Sequence, residues 1–127
     1  MSTTFNPVSG LVVVHVRIHG PTGEAIARLA LDTGATTTLV SEAILVAAGC
    51  DPPAATSHID ITTGSSVVRV PRVAIPKFVA LGLERDNFPI VAHTLPPTAS
   101  VDGVLGLDFM RGLCLTVDFR AGRVVLA

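Results

Sequence analysis

Asp32 stands between an apolar run, Ala25 to Leu31, and a turn of small and hydroxyl-bearing residues, Thr33-Gly34-Ala35-Thr36-Thr37-Thr38. The run reads as a strand entering a core, so the carboxyl arrives at the core's edge, partly desolvated and in need of hydrogen-bond partners. Gly34 permits backbone geometry that a Cβ forbids, while Thr33 and Thr36 offer hydroxyls to neighbouring backbone. A carboxyl so placed has two uses. It can move protons in general acid–base chemistry, or it can serve the turn alone by bonding to nearby backbone.

Other chemistry-bearing residues have blander readings. His15 and His19 lie four residues apart on one strand, about 13 Å, too far to share a metal ion, and read as surface groups. Asp108 follows Gly106 and reads as a cap on a short helix, while Asp102 and Asp118 take turn and surface roles. Arg69 and Arg72 read as solvated strand charges. Cys50 and Cys114 lack metal-type spacing and read as free thiols, Cys114 between leucines as a core residue. Gly103 to Gly106 lacks the Lys-Ser/Thr ending of a phosphate loop and the spacing of a dinucleotide fingerprint.

The elements that position Asp32 follow from periodicity. Val12, Val14, Val16 and Ile18 alternate with Val13, His15, Arg17 and His19, predicting a strand over 11–19, which Gly20-Pro-Thr-Gly23 turns into a second strand over 24–32. Ser41 and Gly49 bracket a short helix from Glu42 to Ala48. Residues 57–62 and 66–70 read as a hairpin tipped by Thr63-Gly64-Ser65, and 73–81 and 88–95 as further strands. A helix near Asp108 to Arg111 and a closing hairpin, 115–119 with 124–126, complete a mainly β chain. Residues 1–9 read as an N-terminal extension and 10–127 as a single domain.

Composition narrows the partners. Of the 127 residues, 49% are hydrophobic and only 15% charged, and the mean hydropathy is +0.61, which implies burial of surface beyond one chain's own core, as in an oligomer. A net charge of −1, no Trp, no Tyr and no Lys/Arg cluster argue against nucleic acid. No apolar stretch reaches the roughly 18 residues of a membrane helix, and the N-terminus lacks the features of a secretory signal, so a cytoplasmic location is the expectation.

The Asp32-Thr33-Gly34-Ala35 run after an apolar strand resembles the active-site motif of retropepsin-like aspartic proteases. Val101-Asp102-Gly103-Val104-Leu105-Gly106-Leu107-Asp108-Phe109-Met110 resembles that family's hydrophobic-hydrophobic-Gly motif with its following helix, in the right order and at the right separation. The resemblance runs from about Val12 to the C-terminus. It implies a closed acid-protease barrel with one or two short helices, an aspartic endopeptidase without metal or cofactor, and a peptide or protein substrate. Asp32 would be the catalytic residue, supported by Thr33, Gly34 and Ala35. The hairpin falls where the family places its flap, so Thr63, Gly64, Ser65 and Ser66 would lie over substrate. That tip is more polar than the Ile- and Gly-rich flaps of the viral enzymes and lacks the Tyr of pepsin-like lobes.

Hydrolysis by carboxyls needs two of them, one ionised to take a proton from water and one protonated to give a proton to the carbonyl oxygen. At about 3 Å and an effective dielectric near 20, their repulsion is on the order of 5 kcal/mol, so aspartic dyads share one proton and titrate as a unit. The chain has one Asp-Thr-Gly and no second such motif. The resemblance therefore implies a homodimer that sets Asp32 beside its counterpart, with Thr33 bonding across the dimer and Gly34 letting backbone approach the carboxyls. The rival reading is a peptide-binding or dimerisation module that keeps the fold without turnover.

Overall fold

Alternating burial along residues 13–19 puts Val14, Val16 and Ile18 inside and His15 and Arg17 outside, which makes this segment a strand with one core face. In the computed structural model, which describes residues 2–127, it is the second of ten strands. These are β1 (Ser2–Thr4), β2 (Val13–His19), β3 (Glu24–Leu31), β4 (Leu39–Val40), β5 (Ser57–Thr63), β6 (Ser66–Ala80), β7 (Leu83–Ala92), β8 (Gly103–Leu105), β9 (Leu115–Asp118) and β10 (Arg123–Leu126). Two short helices, α1 (Glu42–Ala47) and α2 (Leu107–Met110), follow β4 and β8. The expectation of a mainly β chain with two short helices holds.

The strands run in the order β2-β3-β8-β4-β7-β6-β5, and a further β2–β6 pairing joins the ends of a six-stranded closed barrel. Closure removes the open edges that a flat sheet would expose. Of these seven strands, β5 alone stays outside it. Residues 66–72 of β6 pair with β5, whereas residues 72–80 pair with β7, so β6 leaves the barrel wall to form one arm of a projecting hairpin. The two strands expected over 66–70 and 73–81 are therefore one. Prolines hid the continuity: Pro76 has no N–H, and the ladder skips it opposite Asn87, itself at φ 49°. β7 also begins earlier than expected, because Leu81 and Gly82, both at positive φ, turn the chain in two residues.

Ile18, Leu29, Leu45, Ile75, Ile90 and Leu105 fill the barrel with Phe78, Phe88 and Phe109, whose ring centroids lie 5.0–5.7 Å apart. Cys114 is not part of this core. It precedes β9, where its backbone exchanges hydrogen bonds with Ala127 and its side chain is exposed; the buried thiol is Cys50, whose pKa is raised by desolvation. Both cysteines are free. Within the stretch read as an N-terminal extension, Ser2–Thr4 pair with β10 in a three-stranded sheet, β1-β10-β9, anchored where Phe5 N–H donates to the Gly122 carbonyl. No helix among the described residues is long and apolar enough to cross a membrane.

Candidate active site

Asp32 follows the last residue of β3, and the chain then turns through residues 33–38 into β4. Strand β8 is inserted between the two, parallel to β3 and antiparallel to β4. This arrangement holds the turn at both ends, since Asp32 N–H donates to the Leu105 carbonyl and Leu107 N–H to the Ala35 carbonyl. Gly103 and Gly106 are required by close approach. A Cβ on Gly103 would collide with the backbone of Leu39, and one on Gly106 would sit 2.8–2.9 Å from the backbone of Ala35 and Thr37. The second motif is thus the seat of the first.

Within the turn, Asp32 is half-buried, and its Oδ1 accepts a 2.9 Å hydrogen bond from Gly34 N–H. Oδ2 receives none from the described residues. Thr33 and Gly34 are exposed on the single chain, and Ala35 is half-buried. The hydroxyls of Thr33 and Thr36, expected to bond to nearby backbone, make no such bonds with the described residues; Thr38 does that work from a fully buried position. Asp108 accepts from Thr38 N–H at 2.9–3.0 Å and from the Thr38 hydroxyl at 2.7 Å, while that hydroxyl accepts from Gly106 N–H at 3.1 Å.

Asp108 is therefore a brace, not a cap. It lies in the first turn of α2 but makes no capping bond, because its carboxylate is drawn to the two buried donors of Thr38. From the other side, Arg85 of β7 donates from Nη2 to the Phe109 carbonyl at 2.8 Å, with its guanidinium carbon 5.2 Å from the centre of the Phe109 ring. Ser41 occupies the N-cap position of α1 without a side-chain cap; Glu42 N–H donates to the Thr94 hydroxyl instead.

A groove of about 1090 Å³ runs between this turn and the hairpin of β5 and β6. Asp32, Gly34 and Ala35 lie on its floor side, and Ile59, Ile61, Thr63 and Gly64 on its hairpin side. Of the expected flap residues, Thr63 and Gly64 line it, while Ser65 and Ser66 do not. Gly64, at φ 60°, supplies the left-handed residue of the two-residue turn between Thr63 and Ser66. Sequence reasoning passed over Ile59 and Ile61, whose alternation with Asp60 and Thr62 was the available signal, and over His93, which carried none.

The family model described as "Aspartyl protease" matches residues 14–109. No curated protein matches the chain in sequence. Among solved structures, the crystal structure of a retropepsin-like aspartic protease from Rickettsia conorii shares the fold, with a TM-score of 0.73 over 99% of this chain and 88% of that one, at 14% identity.

Proposed function

The chain belongs to the aspartyl protease family, and we propose that it is an aspartic endopeptidase working as a homodimer, with one Asp32 from each copy. The observation that carries this reading is the setting of Asp32. Asp32 lines the floor side of a groove, with Oδ1 fixed by Gly34 N–H and Oδ2 accepting no hydrogen bond from the described residues. A purely structural Asp has no need of a groove beneath a hairpin.

In the proposed reaction, an ionised Asp32 takes a proton from a water as it attacks the peptide carbonyl carbon. The protonated Asp32 of the other copy gives its proton to the carbonyl oxygen, forming a tetrahedral diol. Proton transfer to the amide nitrogen and return of a hydroxyl proton to a carboxyl then break the C–N bond. Thr33, Gly34 and Ala35 hold the geometry. Exposure of Thr33 and Gly34 on one chain leaves them free to meet a partner copy. An extended peptide would pair with the hairpin through its main chain, and Gly64 gives the tip freedom to close.

Purified protein is expected to sediment as a dimer and to cleave an extended peptide library at acidic to mildly acidic pH, with cleavage lost in Asp32→Asn. A monomer at assay concentration, or an Asn variant as active as the parent, would overturn the mechanism. A dimer that binds peptide without cutting it would make the chain a binding module.

A further inference from the structure

The groove is built from apolar and hydroxyl-bearing residues with one nitrogen-bearing side chain. No Lys or Arg lines it, and its titratable lining residues are Asp32, Asp60 and His93. Asp60 belongs to the outer face of the hairpin: burial alternates along β5 so that Ile59, Ile61 and Thr63 turn inward, and the Asp60 carboxylate lies 4.0 Å from Arg69 on that outer face. Asp32 is committed to the proposed chemistry. His93 is left as the side chain that can donate an N–H to an occupant of the groove.

Its position is well fixed. His93 follows β7, its N–H donates to the Val40 carbonyl at 3.1 Å, and it is half-buried. Its imidazole forms no ion pair or hydrogen bond with the described residues. An imidazole presents at least one N–H in either protonation state, and two when protonated. Carboxylate and amide oxygens are complements of that N–H; an apolar side chain would offer it no acceptor, and a cationic one would be repelled by the protonated ring.

From this we propose that His93 is a specificity-determining residue, selecting peptides that carry Glu or Gln, or their shorter homologues, where the substrate side chain meets it. The proposal rests on the protease reading for its substrate class, because it takes the groove's occupant to be an extended peptide. In a homodimer, His93 would occur once on each side of the paired Asp32 residues, so the preference would recur at two positions flanking the scissile bond.

The test is a positional scan in which one residue of an apolar reference peptide is changed in turn to Glu, Gln, Leu or Lys. Cleavage is measured with the parent protein, and binding with Asp32→Asn by fluorescence anisotropy. Glu and Gln are expected to be preferred over Leu and Lys by about tenfold at the His93 positions. His93→Leu should bring that ratio to about one, and His93→Gln, which keeps an N–H donor, should restore most of it. Cleavage of the reference peptide with no Glu or Gln preference, or a preference that persists in His93→Leu, overturns the assignment and leaves the protease reading intact. Binding with a His93-dependent preference but no cleavage supports the assignment and overturns hydrolysis. Peptides neither bound nor cut overturn both.

Discussion

Asp32, Thr38 and Asp108 form the smallest unit that explains the site: Asp32 is held by the Leu105 carbonyl and Gly34 N–H at one end of the turn, and Thr38 and Asp108 brace the other end against Gly106. Asp108→Ala would strand the buried N–H and hydroxyl of Thr38, at a cost of about 2–3 kcal/mol in urea denaturation, while Asp108→Asn, which keeps one acceptor, should cost less. Asp32→Asn should leave the urea midpoint nearly unchanged, since Asn still offers an oxygen to Gly34 N–H and relieves any carboxyl repulsion. The thiols separate by burial: Cys114 should react within seconds with an aromatic disulfide reagent, and Cys50 only on unfolding. Asp32 and its neighbours were legible because the Asp-Thr-Gly-Ala run is contiguous. The brace was not, because its partners lie 70 residues apart and nothing in the order of residues says that Thr38, among three successive threonines, is the one turned inward.

At the level of elements, the insertion of β8 between β3 and β4 makes the site possible, and two glycines separate its requirements from those of the hairpin. Gly103→Ala must push the backbone of β4 aside and should cost about 3 kcal/mol. Gly64→Ala meets nothing within 4 Å and pays only for its left-handed backbone, about 1 kcal/mol; denaturation curves of the two variants check the contrast. Strands β2, β3 and β5 followed from alternation and turn residues, whereas the two residues of β4 carried no such pattern. The length of β6 did not, since its prolines and the charged start of β7 mask a hairpin whose register is fixed by pairing. In the closing hairpin, Asp118 has its pKa lowered, first by the Ala121 N–H, then by the Arg120 N–H and the Arg123 guanidinium, against an opposing desolvation. A folded-state value below the unfolded one stabilises at higher pH and is lost as pH falls through the folded value. Acid unfolding should therefore be less steep below about pH 4 in Asp118→Asn.

For the whole molecule, a single Asp-Thr-Gly carboxyl per chain ties the proposed activity to association. Specific activity should fall on dilution as dimers separate, with sedimentation following the same concentration dependence. The sequence by itself determined the class of the fold and pointed to the residues of the candidate site, because both are written in short contiguous patterns: Asp-Thr-Gly-Ala after an apolar strand, Leu-Gly before a short helix, and period-two alternation. Only the tertiary structure decided that these two patterns support each other, that Asp108 braces Thr38, that Cys114 faces outward, and that Ile59, Ile61 and His93 look into the same groove as Asp32. Such facts depend on barrel closure, which brings residues distant in the chain to hydrogen-bonding range, and local periodicity carries no record of which distant partner a side chain will meet.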